Sequence, residues 1–249
     1  MNQFYVPKRI MAIAAHPDDI EFSAAGAIAK WILNGSTASY ILCTSGEVGI
    51  AENGVTLEKA RSIREQESLK AAKIIGVDEV IFLREPDGLL EANLQLRKKL
   101  VREIRRFKPE LVICTDPTVY FTKNNTINHP DHRAAGLAAI DACFPAAGQP
   151  HLFQELEKEG FYSHKPRKVY VTGWHQQELS VDIEDTIDLK IKALQAHESQ
   201  TRHFNTEEYI KIRSAEAAAG KEMKYAEPYR VITLMDDEKW ESYQAANGY

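Results

Sequence analysis

Two tetrads carry most of the side chains able to do chemistry: His16-Pro17-Asp18-Asp19, at the end of an apolar run near the start of the chain, and His129-Pro130-Asp131-His132 in its middle. Each packs two to three metal-binding or proton-transferring groups into four residues. A catalytic zinc takes three protein ligands from His and Asp/Glu and keeps its fourth position for water. His16, Asp19 and His132 would supply such a set. The i, i+3 spacing lets His16 and Asp19 reach one ion from a tight turn, and His132, on the first turn of a helix, would point back into the same crevice. Asp18 is then free to act as a general base on the bound water, and His129, about one helical turn before His132, as an acid or oxyanion donor. Zn²⁺ in such a site brings the pKa of its water to about 7, so hydroxide is available at neutral pH. Taken singly, each tetrad also has a bland explanation: a histidine hydrogen-bonded at a strand end, or an Asp18-Asp19 pair capping a helix. Two such clusters in one chain are harder to explain that way.

The elements that must position these residues alternate. Residues 10–15 form a short continuous apolar run, as expected of a strand buried on both faces, and 22–33 has helical apolar spacing with a stop at Asn34-Gly35. A second strand over 38–44 runs into the Gly-punctuated loop Ser45-Gly46-Glu47-Val48-Gly49. A helix over 57–75 ends at Gly76, and a third strand covers 79–83. After the turn Pro86-Asp87-Gly88 come a helix over 94–107, a strand over 111–115, a long polar loop over 116–128 and an Ala-rich helix from Pro130 to about Phe144. Residues 145–168, with Pro145, Gly148, Pro150 and Pro166, break the rhythm and read as an excursion near the site or an oligomer contact. A fifth strand over 169–172, helices over 183–199 and 206–219 and a last strand over 229–234 complete the chain. The pattern predicts an α/β fold, Rossmann-like and three-layered, with a mostly parallel sheet between helices, as a single domain over residues 1–249. In such folds the loops at the carboxyl ends of the strands converge where the strand order reverses, which would bring the loops after strands one, two and four together.

Composition narrows the function. A content of 44% hydrophobic and 27% charged residues suits a soluble globular protein. A net charge of −5 with no basic run offers no general attraction to nucleic acid or to an anionic membrane, so a small-molecule substrate is expected. Cys43, Cys114 and Cys143 are widely spaced in apolar surroundings and provide neither a disulfide framework nor a C-x-x-C site. The apolar run after Lys8-Arg9 breaks at His16, short of a signal-peptide core, and no run approaches the ~20 residues of a membrane span. A cytoplasmic location is the expectation.

Together, Ala15-His16-Pro17-Asp18-Asp19, Thr44-Ser45-Gly46-Glu47 and His129-Pro130-Asp131-His132 resemble the LmbE-like (PIG-L) zinc-dependent de-N-acetylases, and the likeness extends to Ala196-His197-Glu198-Ser199-Gln200. The resemblance implies a Rossmann-like fold and hydrolysis of an acetamido group on an N-acetylglucosamine-type substrate. It makes His16, Asp19 and His132 the ligands of Zn²⁺, with Fe²⁺ or another divalent ion as the alternative, and Asp18 the base. His129 becomes the oxyanion stabiliser or acid, oriented by Asp131. Glu47, Arg64 and Asp87 become substrate-binding residues; an exposed helix salt bridge for Arg64 and a plain turn residue for Asp87 stand beside those roles. His197 joins the substrate-side residues with no role assigned. A homo-oligomer, with a hexamer as one form, is implied as well. The chain departs from the family pattern at Ile20, which displaces to Glu21 a Glu that often follows the aspartates, and at Ile127, where some members carry a Tyr.

Three other readings stay open at this point. A non-haem iron oxygenase also uses two His and one carboxylate, but the chain shows no co-substrate site and carries spare acid/base residues. A nucleotide-binding module would need a Gly-rich first loop, and here Asp18 and Asp19 occupy the place of the pyrophosphate. A catalytically silent or differently specific metal-binding member is the third.

Overall fold

The computed structural model of the protein describes residues 5–173 and 178–247. Strand β1 (Arg9–Ala14) lies in the interior of the sheet. Ile10, Ala12 and Ala14 face one apolar layer and Met11 and Ile13 the other, which is why its sequence is apolar without alternation. The chain continues through helices α1 (Asp19–Ser23) and α2 (Ala25–Leu33), strand β2 (Thr37–Thr44), helix α3 (Leu57–Ile75) and strand β3 (Glu79–Glu85). Helix α4 (Leu94–Phe107), strand β4 (Leu111–Thr115), helix α5 (Pro130–Asp141), the short helix α6 (Gln154–Lys158) and strand β5 (Lys168–Thr172) follow. The last part holds strand β6 (Leu179–Asp182), helices α7 (Ile187–Gln195), α8 (Glu198–Thr201) and α9 (Thr206–Ala218), strand β7 (Ala226–Thr233) and helix α10 (Asp237–Asn247).

The seven strands form one sheet in the order β3-β2-β1-β4-β5-β7-β6. The first five are parallel, and β7 runs antiparallel to β5 on one side and to β6 on the other. The fold is therefore the α/β sandwich the sequence predicts, with an antiparallel edge added. Strand order reverses at β1, between β2 and β4, so the crevice of this sheet opens at the carboxyl ends of β1 and β4. Helix α5 is drawn close to β4 by Gly136, where a Cβ would collide with the carbonyl oxygen of Thr115. That approach sets the height of the second tetrad above the sheet.

The expectation that residues 145–168 lie near the site is corrected. The buried guanidinium of Arg105, near the end of α4, donates to the carbonyls of Ala146, Ala147, Gln149 and Leu152. His164 Nε2 lies 2.8 Å from the carbonyl of Pro109, just before β4. Both anchors sit at the amino ends of the strands, opposite the crevice. Among the described residues, no helix is long and apolar enough to cross a membrane.

His164 gives this region a pH dependence. Burial pushes its pKa down from 6.5 to about 4, against the Pro109 carbonyl and with help from Arg9 and Lys108. The unfolded chain therefore binds more protons between those two values, so stability is complete above about pH 6.5 and declines as the pH falls toward 4, by up to about 3 kcal/mol. Urea unfolding of wild type and His164→Gln at pH 7 and pH 4.5 checks this: the wild type should lose more stability than the variant, and equal losses would place the acid sensitivity elsewhere.

Candidate active site

The two tetrads meet over β1 and β4. The chain leaves β1 through His16 and Pro17 and turns into α1 at Asp18, whose backbone is left-handed (φ 95°). For a residue with a Cβ this is a strained conformation of the kind concentrated at functional sites. It sends the two carboxylates in different directions. Asp19 folds back, its Oδ2 accepting from the His16 backbone N–H at 2.9 Å and lying 3.6 Å from His16 Nδ1, while its Oδ1 lies 3.1 Å from His132 Nε2. Asp18 faces Arg64, with Oδ2 3.4 Å from Nη2, which also donates to the carbonyl of Pro17 at 2.5 Å.

Helix α5 delivers the second tetrad through its own cap. His129 is the N-cap residue and Pro130 opens the helix. The His129 Nδ1 accepts the Asp131 backbone N–H at 3.2 Å, which leaves Nε2–H as the donor of the neutral, solvent-exposed ring. His16, His129 and His132 cluster, with ring centroids 4.8 Å (16 to 129), 5.2 Å (16 to 132) and 5.3 Å (129 to 132) apart. His132 Nδ1 lies 3.3 Å from Asn128 Oδ1, so its Nε2 is left for Asp19.

Asp131 meets His129 through its backbone N–H, and its carboxylate goes to His16. That carboxylate is fully buried and lies 3.3 Å from His16 Nε2, accepting also from the backbone N–H groups of Gly88 (2.7 Å) and Leu90 (3.2 Å). What reaches His129 is the Asp131 main chain. The plain-turn reading of Asp87 fails: its Oδ1 is 3.1 Å from His16 Nε2 and its Oδ2 accepts from Val48 N–H at 2.7 Å. The loop after β3 is thus part of the site, joining those after β1, β2 and β4. In the β2 loop, Glu47 is buried, takes one hydrogen bond from Arg61 (3.0 Å), and its Oε2 has no partner among the described residues. Arg64 is buried behind Asp18 rather than exposed on its helix. His197 has no exposed surface, so it does not line the crevice; its Nε2 is 3.3 Å from Glu21 Oε2. In the sequence, Asp87 is singled out only by the family resemblance and Glu21 only as the displaced acid after Ile20; their contacts with His16 and His197 come from the fold.

The charges are strongly coupled. Burial pushes the Asp18 carboxyl up to about 6 against the pull of Arg64. Burial acts the same way on Asp19, but His132 and His16 outweigh it and hold that carboxyl well below its usual range. His16 and His132 are raised despite burial, by Asp131, Asp19 and Asp87 in the first case and by Asp19 in the second, whereas burial and the two neighbouring rings lower His129. Among the described residues, two groupings could hold a metal ion: one nitrogen each of His16, His129 and His132, and His16 with Asp87 and Asp131, the atoms of each group lying within 4.8 Å of one another. Asp87 and Asp131 both face the one nitrogen His16 Nε2. Asp19, by contrast, turns one oxygen to each of two imidazoles. Two imidazole nitrogens and a carboxylate form the donor set of a catalytic zinc, and the carboxylates on His16 Nε2 are the outer hydrogen-bond partners that ligating histidines have. The residues present fit a divalent cation.

Comparisons with known proteins identify the family. Residues 11–143 match the family model for GlcNAc-PI de-N-acetylase, PIG-L. The chain is 31% identical over 193 residues to diacetylchitobiose deacetylase of Thermococcus kodakarensis, covering 78% of this chain and 70% of that protein. It is 27% identical over 203 residues to the probable N-acetyl-alpha-D-glucosaminyl L-malate deacetylase 2 of Bacillus anthracis, covering 78% and 81%. The solved structure of N,N'-diacetylchitobiose deacetylase from Pyrococcus horikoshii superposes with a TM-score of 0.84 at 25% identity, over 94% of this chain and 86% of that one.

Proposed function

Because the chain belongs to the PIG-L family, we propose that it is a divalent-metal-dependent hydrolase that removes the acetyl group from an N-acetylglucosamine-type amide. Deacetylase relatives support the reaction class. The observation that carries the metal-dependent reading is the Asp19 carboxylate facing His16 and His132, with a second, separately oriented carboxylate beside it at Asp18.

His16, Asp19 and His132 would hold the cation, zinc or iron(II). When bound, it supplies Lewis acidity, polarising the amide carbonyl and bringing its water to a pKa of about 7. Asp18 accepts the proton of the attacking water. Arg64 holds that carboxylate from the other side. His129 Nε2–H donates to the oxygen that becomes negative as the carbonyl carbon turns tetrahedral, an interaction stronger in the transition state than in the ground state. The C–N bond then breaks, a proton goes to nitrogen, and acetate and a free amine leave. Asp131 and Asp87 fix the His16 ring, and the unpartnered oxygen of Glu47 is suited to a substrate hydroxyl.

The test is amine and acetate release from N-acetylglucosamine, diacetylchitobiose, glucosaminyl-malate and glucosaminyl-inositol acetamides by zinc-reconstituted protein, with chelator-treated protein as control. Chelator-sensitive release from one of them is expected; none from any, with metal bound, overturns the reading. His132→Ala should lose stoichiometric zinc along with activity. A His132→Ala protein that keeps full zinc occupancy would show that the third ligand lies elsewhere.

A further inference from the structure

One stretch that the mechanism does not use is tied to three site-bearing elements at once. Helix α7 stops at Gln195, and the turn 197–200 drops into the body of the protein. His197 is fully buried, 3.3 Å from Glu21 on α1, three residues after Asp18. Ser199 donates twice to Glu67 on α3, from its backbone N–H to Oε1 at 2.7 Å and from Oγ to Oε2 at 2.6 Å. Glu67 lies one helical turn beyond Arg64 and is buried with it. Gln200 Nε2 donates to the carbonyl of Gly49 at 3.4 Å and to Ser199 Oγ at 3.1 Å.

The three contacts surround one slot. The Arg64 guanidinium lies against Gly46 and Gly49, where an added Cβ would come within 2.9 Å of its nitrogens, and Gln200 sits beside it on Gly49, where the same Cβ would stand 3.2 Å from Oε1. Arg64 thus has a fixed wall of backbone on one side and Asp18 on the other. Neither α1, at five residues, nor the single 3₁₀ turn at Glu47–Gly49 is long enough to hold its own position. The turn 197–200 reaches all of them.

We propose that the turn His197-Glu198-Ser199-Gln200 is a positioning element of the reaction, which through Glu21, Glu67 and Gly49 fixes the Asp18 carboxylate against the Arg64 guanidinium. It touches no substrate. This rests on the deacetylase reading for its kinetic consequence but not for its structural one. Because small misplacements of catalytic groups are costly, removing a single hydroxyl here should lower kcat/KM by about tenfold, mainly through kcat.

The test uses the full zinc-loaded chain and whichever acetamido sugar of the panel the wild type cleaves fastest. Ser199→Ala should lose about tenfold in kcat with KM, zinc content and Tm at wild-type values, and Ser199→Thr, which restores the hydroxyl, should recover it. In an Arg64→Lys background Ser199→Ala should add little, because both act on one pair; a full additional tenfold loss, or an unchanged kcat in the single variant, overturns the proposal. Amide hydrogen exchange separates this from the deacetylase reading: Ser199→Ala should speed exchange at 17–22 and 46–50. Unchanged exchange there overturns the proposal even if the wild type proves active, and faster exchange supports it even if the wild type cleaves none of the sugars.

Discussion

Asp18→Ala is expected to bind zinc as the wild type does and to lose about 10²–10⁴-fold in turnover, the range for removing a general base. The expectation follows from the division of labour between two adjacent carboxylates. Asp19 is spoken for by His16 and His132, whereas Asp18 makes its side-chain contact with Arg64. Burial raises the Asp18 carboxyl toward neutrality, where a base is most effective, and Arg64 keeps it from being raised further. The left-handed backbone at Asp18 makes a second, opposite effect visible. Asp18→Gly should be as inactive as Asp18→Ala but more stable than it by about 1 kcal/mol in denaturant unfolding, since glycine adopts φ 95° without strain. Metal lost together with activity in Asp18→Ala would contradict the assignment of ligand and base, and a glycine variant no more stable than the alanine one would remove the strain argument.

Lys190→Met should cost about 3–5 kcal/mol of stability, the largest effect expected from any single change outside the crevice. Lys190 on α7 and Glu227 on β7 form an ion pair at 2.5 Å with both side chains almost entirely buried. Glu227 is more than a counter-ion. Helix α2 starts at Ala25 with no side-chain cap of its own, and Glu227 accepts the backbone N–H groups of Gly26 (2.9 Å) and Ala27 (2.7 Å) as well as the Tyr229 hydroxyl (2.9 Å). Lys190 also donates to the carbonyl of Phe22, at the end of α1. Removing the lysine leaves a buried carboxylate with only partial compensation. The double variant Lys190→Met/Glu227→Gln should recover much of the loss, because a neutral amide can still accept from α2. Urea unfolding of the three proteins decides it: a double variant as unstable as the single one would mean that packing, and not charge, is what the lysine provides.

How far the sequence spoke depends on how local each feature is. Strands β1 to β5 and helices α3 and α4 were legible because a strand buried on both faces is apolar throughout and each of these helices is punctuated at its ends; the stretch 22–33 reads as one helix, but the chain forms α1 (Asp19–Ser23) and α2 (Ala25–Leu33) instead. Strand β6 was not, since four residues, Leu-Ser-Val-Asp, carry no usable period. The stretch 183–199 reads as one helix, yet it begins with a 3₁₀ turn and breaks before His197, whose ring goes to Glu21 rather than along the helix face. A tertiary partner set that break. The two tetrads were legible as chemistry because reactive side chains crowd into four residues. The contacts of Asp87 and Asp131 with His16 were not, because they depend on a histidine from another loop and, for Asp131, on the N–H groups of Gly88 and Leu90.

The site is assembled from segments that follow four different strands, and contacts across it join residues distant along the chain: His16 and Asp131 are 115 positions apart. No pair of neighbouring elements contains both halves. A nascent chain that has made β1, β2 and β3 holds one histidine of the cluster and nothing to complete it. Competence arises only when β4 has docked beside β1, a long-range contact of the kind that forms late and sets the pace of folding. On the proposed reading, activity and metal retention would report on the finished sheet, and a fragment ending before His129 is expected to be inert however well its own helices form.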